Sequence, residues 1–350
     1  MEKFDVTVLG AGISGLTAAY FSVNEGFKTA LVDPNIPGRE GSYNSAGIIT
    51  RQLYTKREIL LAIESISILG EIIPDIEVVT YDRRFITIED EKTAFQDYRF
   101  YRKIFTDVDI YYYGELPGDL TSINLHVNEA ILMSYKDLMI DTKETLKKIY
   151  DGISGHKNLK EYRLKSVKIS DYEEEEGYTI YLENGEAIKS RNVILALGAW
   201  NKYFIEKSKI YLPISTYACI AVRLEVYGSI PVSGSDEVNY LYWMKEGENR
   251  VIAGEYYQST PITRPEKIRE IKLENREKSV MKSLMDRFKN IKDLKFIEYV
   301  IGPCSFPIGK RPLYKELMRN LFLIDGLGGY GFTLGPALAK ETIDSITTRL

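Results

Sequence analysis

The chain has 350 residues, and its 46 basic and 50 acidic side chains nearly cancel to a formal charge of -4, so it offers no cationic field for nucleic acid. It has no run of about 18 apolar residues that could cross a bilayer, and two cysteines and two histidines are too few for a disulfide framework or a His-rich metal site. This length supports a sizeable core and suggests two domains.

Met1-Glu2-Lys3 passes directly into Phe4-Asp5-Val6-Thr7-Val8-Leu9, leaving no room for a signal peptide, and a cytoplasmic protein is expected. The abundance of Glu, Lys, Ile and Tyr is of the kind a thermophile shows. The apolar, β-branched run predicts a strand buried on both faces, and Gly10, Gly12 and Gly15 fall where it must turn into a helix starting near Ile13. The three glycines serve different ends: Gly10 allows the tight turn, Gly12 the approach of a pyrophosphate, and Gly15 the close packing of helix on sheet. The free N–H groups and positive end of that helix then face the phosphates. Thr29-Ala30-Leu31-Val32 predicts the second strand, and Asp33 ends it about 20 residues on, where a carboxylate accepts ribose hydroxyls. This is a dinucleotide fingerprint.

The loop from Pro34 to Ile49, with Asn44-Ser45-Ala46-Gly47-Ile48, is dense in hydroxyl and amide donors and suits a second clamp on the nucleotide. Helical spacing follows from Lys56 to Leu69, strands from Glu77 to Ile88, a charged helix from Glu89 to Phe105, and a helix from Ser134 to Tyr150. The Tyr111-Tyr112-Tyr113 run carries no assignable pattern. Ser166 to Ile169 and Tyr178 to Leu182 predict strands about an acidic turn, and Asn184-Gly185 a tight hairpin. A second fully buried strand runs from Asn192 to Trp200 and belongs to the sheet of the first. Alternation in Thr216 to Val226, Asn239 to Trp243 and Arg250 to Gly254 predicts an antiparallel sheet, with Cys219 in its core. A helix from Glu266 to Phe288 and a strand from Phe296 to Ile301 precede a closing strand, the glycine loop Gly326 to Gly331, and a terminal helix.

Taken together, the opening fingerprint with Asp33, the Asn44 to Ile48 loop, the Gly-Ala-Trp strand ending and the closing Gly328-Gly329-Tyr330-Gly331-Phe332-Thr333-Leu334 with Pro336 resemble one family over essentially the whole chain. It is the D-amino-acid oxidase, glycine oxidase and sarcosine oxidase type of FAD-dependent oxidoreductase. The resemblance implies an α/β fold with a Rossmann-like FAD-binding domain (1–76, 130–212, 303–350) and a second α+β domain on a mainly antiparallel sheet (77–129, 213–302). It places Gly10, Gly12, Ile13, Ser14 and Gly15 at the pyrophosphate, Asp33 and Pro34 at the ribose, Asn44, Ser45, Ala46 and Gly47 along the ribityl and flavin side, and Val167 at adenine. Ala196, Gly198 and Trp200 lie near the cofactor, and Gly328, Gly329, Tyr330, Gly331, Phe332 and Thr333 bring a helix start to the flavin, where reduced flavin carries negative charge.

The implied reaction is oxidation of an amino-acid or amine C–N bond by hydride transfer, with O2 or another carrier as electron acceptor. Relatives hold the substrate carboxylate with an arginine in a Gly-x-Arg-Pro segment. In this chain either Cys304 or Arg311 takes that position, depending on how the segment is aligned. Cys304 is also either a flavin attachment point, as in sarcosine oxidases, or a structural cysteine. Tyr240, Tyr242 and Trp243 are candidate pocket walls. A flavoprotein acting on a hydroxy acid or polyol phosphate, and a flavin-carrying subunit of a larger complex, stay open as alternatives, as does a homo-oligomer.

Overall fold

Among the residues described by the computed structural model, 1–309 and 312–349, strands gather into an eight-stranded, a nine-stranded and a three-stranded sheet. In the first sheet Glu2–Leu9 runs parallel to Thr29–Val32 on one side and to Ala187–Leu195 on the other. Leu159–Tyr162 and Leu321–Asp325 extend the parallel part outward. Val6, Val8, Leu31 and Ile194 are wholly buried, because the sheet is covered on both faces, and that is why its strands read as unbroken apolar runs. Helices Ile13–Asn24 and Gly331–Thr347 pack on one face and on each other. The hairpin of Ser166–Ile169 and Tyr178–Leu182 continues the other edge of the sheet.

The nine-stranded sheet is antiparallel except where Ser233–Asp236 runs parallel to Phe85–Asp90. Its spine is a ribbon in which Ile214–Gly228 pairs along its length with Ile291–Pro307. At one end Leu224 and Leu294 share a core with Trp243 and Phe288; at the other, Ile214 joins Val193 and Leu321 of the first sheet. The ribbon therefore ties the two layers into one body. Arg287 is buried beneath the second sheet, where its Nε donates to Asp236 Oδ2 at 2.8 Å and its Nη1 to Glu129 Oε2 at 2.6 Å.

Three sequence expectations are corrected. The Ser134 to Tyr150 helix is in fact the end of strand Glu129–Ser134, a short strand Leu138–Ile140, and helix Thr142–Asp151. The apolar Leu138-Met139-Ile140 pairs with Ile48–Ile49, and the helix starts only at Asp141, whose Oδ1 accepts the N–H groups of Lys143 and Glu144. The Glu266 to Phe288 helix is a turn at Pro265–Glu270 followed by helix Arg276–Arg287, interrupted before Asn275, whose φ of 65 no α-helix accommodates. The strand expected to reach Trp200 ends at Leu195, and Gly198–Trp200 forms a helical turn. The tyrosine run without a pattern lies at the end of strand Val108–Tyr112. No helix among the described residues is long and apolar enough to cross a membrane.

Candidate functional site

A single cavity of about 1460 Å³ runs from the glycine turn at the top of the first sheet to the face of the second. At the turn, Gly10 has φ +104, and a Cβ there would stand 2.3 Å from the Ala196 carbonyl oxygen. A Cβ on Gly15 would stand 1.9 Å from Gly10 O, so the helix can lie against the turn only without one. Gly12 is less constrained, since a Cβ would meet only Ser42 Oγ at 3.0 Å. That same hydroxyl accepts the Ile13 N–H at 3.1 Å, joining the first turn of the helix to the loop after Asp33. Asp33 accepts the Ala11 N–H at 2.9 Å and the Asn35 N–H at 2.7 Å, and burial raises its pKa.

Gly10, Gly12, Ile13, Ser14, Asp33, Pro34, Asn44, Ser45, Ala46, Gly47 and Val167 line this cavity, as do Ala196, Gly198, Trp200, Gly328, Gly329, Tyr330, Gly331 and Phe332. Gly15 and Thr333 stand behind the lining: Gly15 permits the close packing just described, and Thr333 is buried with its hydroxyl near Ile48 O. Arg311 lies outside the described residues.

Asp325, where the closing strand meets the glycine loop, is 2% exposed and was not singled out by the sequence. Its Oδ1 accepts the Ser305 hydroxyl and the Gly326 N–H, while its Oδ2 is buried without a partner at the cavity wall. Burial pushes this carboxyl up to about 6 against the bonds that favour its charge. An acceptor so placed fits a ligand rich in hydroxyls, and the turn at Gly10 and Gly12 fits a diphosphate. The residues present thus match a flavin dinucleotide with a ribityl chain.

The far end of the cavity is a tyrosine chamber. Tyr242 stacks on Tyr256 with centroids 5.6 Å apart, and Tyr256 Oη donates to Glu237 Oε1 at 3.1 Å. Tyr54 and Tyr330 interact through their hydroxyls. Glu89 projects from strand Phe85–Asp90 with its Oε2 buried and unpartnered; burial, then Asp97 and Glu237, pushes its carboxyl up to about 8. Cys304 and Cys219 meet through their thiols beside Tyr242, so Cys219 is a cavity residue and not the core residue its sequence context suggests. The bond with Cys219, and then burial, holds the Cys304 thiol well above its ordinary range. Tyr240 also lines the chamber, at its exposed rim, whereas Trp243 points the other way, wholly buried against Phe288 with Nε1 donating to Val232 O at 2.7 Å. Alternation along strand Leu241–Lys245 separates Trp243 from its neighbour Tyr242.

Sequence reasoning missed Tyr54, Glu89, Glu237 and Tyr256, which sit at strand ends and in loops with no motif around them. Glu89 was visible only as a charge at the end of the apolar run Phe85 to Ile88, and Glu237 only as a charge after Ser-Gly-Ser-Asp.

Residues 5–345 match the family described as FAD dependent oxidoreductase. The chain belongs to that family. FAD is its cofactor, and the α/β architecture with a mixed first sheet and a mainly antiparallel second is the family's fold. A monomeric sarcosine oxidase of Bacillus sp. (strain NS-129) is 23% identical over 279 residues, 72% of this chain and 65% of that enzyme, so the match spans just under two thirds of the curated relative. Among solved structures, glycine oxidase from Geobacillus kaustophilus superposes with a TM-score of 0.83 at 17% identity, over 99% of this chain and 95% of that one. L-proline dehydrogenase from P. horikoshii superposes with a TM-score of 0.88 at 17% identity, over 99% and 94%.

Proposed function

We propose that the protein oxidises the C–N bond of an amine or amino acid in the tyrosine chamber. The carrying observation is the continuity of one cavity from the dinucleotide turn to a chamber lined by tyrosines. Similarity to a sarcosine oxidase, a glycine oxidase and an L-proline dehydrogenase supports the same chemistry. FAD, when bound, supplies the two-electron acceptor for the hydride lost by the substrate carbon beside nitrogen; the resulting iminium is hydrolysed by water.

In this reading Gly10, Gly12, Ser14 and the Ile13 helix start hold the diphosphate, Asp33 the adenosine ribose, and Asp325 Oδ2 a ribityl hydroxyl. Tyr242, Tyr256 and Tyr330 shape the chamber and exclude water, so that orientation rather than a dedicated acid–base pair supplies the rate. Residues 1–76, 130–212 and 303–350 are taken as the FAD-binding unit and 77–129 and 213–302 as the substrate unit. The electrons pass to O2 or to another carrier, in the cytoplasm. Anaerobic mixing of the yellow protein with amines, amino acids and hydroxy acids tests the proposal: bleaching by nitrogen compounds is expected, and bleaching by hydroxy acids alone would overturn it.

A further inference from the structure

The described cations lining the cavity are Arg39, Lys165, Arg264 and Arg269, and none of them acts on Glu89 or Glu237. Arg269 acts on Glu40, and Arg264 stacks over Tyr203 at 5.6 Å. Arg51, next in sequence to two wall residues, is spent on Asp137 at 2.7 Å and Asp107 at 2.6 Å. The position that relatives fill with a carboxylate-binding arginine holds Cys304 when the segment is aligned without gaps, and here that thiol faces Cys219 and Tyr242.

Among the described residues, no basic group acts on the chamber's carboxyls Glu89, Asp97 and Glu237. Glu89 feels Asp97, Glu237 and Asp90, with no basic group acting on it, and its Oε2 is buried without a partner. Glu237 feels Asp236 and is bonded to Ser235 and Tyr256, again with no basic group. Buried carboxylates are retained at a cost unless something compensates them. Tyr54, Tyr242, Tyr256 and Tyr330 line the same cavity, and aromatic rings attract cations through their quadrupole.

Resting on the C–N reading above, we infer that the chamber selects a substrate of net positive charge with no carboxylate, an aliphatic diamine or related polyamine, one ammonium of which is held by Glu89 and Glu237 against the tyrosine faces. The C–N bond of the second nitrogen is the one oxidised, its carbon giving up the hydride. An α-amino acid brings a carboxylate into a chamber whose described charges repel it, and no described arginine or lysine there answers it.

Calorimetric titration of the FAD-loaded protein with tetramethylammonium chloride and with sodium acetate separates the possibilities without turnover. Tetramethylammonium should bind, acetate should not, and Glu89→Gln and Glu237→Gln should each weaken the cation by about tenfold or more, about 1.4 kcal/mol, with melting temperatures near that of the parent. Tighter binding of acetate, no detectable cation binding, or cation affinity unchanged in both variants would overturn the inference. Anaerobic bleaching then distinguishes its failure from failure of the C–N reading. Bleaching by 1,4-diaminobutane ahead of glycine, N-methylglycine and proline supports it. Preference for those amino acids, undiminished in the variants, overturns the diamine assignment and leaves C–N oxidation standing.

Discussion

Asp33 Oδ2 accepts the backbone N–H of Ala11 at 2.9 Å, so the carboxylate assigned to the ribose also anchors the glycine turn. Its other oxygen takes the Asn35 N–H at 2.7 Å. Asp33→Ala should therefore do two things at once: weaken FAD by at least about tenfold and cost the apoprotein about 1–3 kcal/mol, because two N–H groups lose their acceptor. Flavin fluorescence titration and denaturant unfolding of the apoprotein measure the two effects. A variant that lost FAD with no change in apoprotein stability would show the anchor to be without weight.

The three glycines of the turn should not be equivalent. Gly15→Ala puts a methyl 1.9 Å from a backbone oxygen and should abolish FAD binding and most soluble expression. Gly12→Ala meets only the Ser42 hydroxyl, at 3.0 Å, and should leave a folded protein with weakened FAD affinity. Circular dichroism and flavin content of the two purified variants decide the contrast.

Cation binding should depend on pH through Glu89. The groups that face it are the carboxyls of Asp97 from helix Glu91–Tyr101, Glu237 beyond strand Ser233–Asp236 and Asp90 on its own strand, with the phenols of Tyr54 and Tyr101. With its pKa at about 8, Glu89 keeps a proton at neutral pH, and a bound cation must displace that proton. Affinity for tetramethylammonium, which does not titrate, should rise as pH increases towards 8 and level off above it. Glu89→Gln should flatten the profile; a profile unchanged in that variant would assign the titration elsewhere.

Arg287 should be a stability residue and not a catalytic one. It is 3% exposed, bonded to Asp236 and Glu129, and absent from the cavity wall. Removing it leaves two buried carboxylates uncompensated, so Arg287→Met should lower unfolding free energy by about 3–5 kcal/mol in urea. Flavin content of the protein that remains folded should be normal.

The flavin should be held without a covalent bond to Cys304. Its thiol, facing Cys219 and buried, keeps its proton and is a poor nucleophile. After acid precipitation the yellow colour should stay in the supernatant. Colour in the pellet, lost in Cys304→Ser, would establish a covalent link.

The glycine-turn end of the cavity was legible in the sequence and the tyrosine chamber was not. Gly10, Gly15 and Asp33 act through backbone geometry, which forces residue type and spacing together, so the chain itself records them. Glu89, Glu237 and Tyr256 converge from separate strands and loops, and nothing in the local chemistry of any one of them demands the others. The misread helix at Ser134 has a related cause. Leu138-Met139-Ile140 continues an apolar pattern that only its pairing with Ile48–Ile49 identifies as strand.

One long strand has a bearing on how such a chamber can change over evolutionary time. In Ile291–Pro307 the neighbours Cys304 and Ser305 turn to opposite sides, the first to the thiol of Cys219 and the second to the carboxylate of Asp325. Inserting or deleting one residue there would exchange the two, turning the chamber-facing side chain toward Asp325. A change of length is thus better tolerated in the loops, such as the one that carries Glu237, than at Cys304 and Ser305.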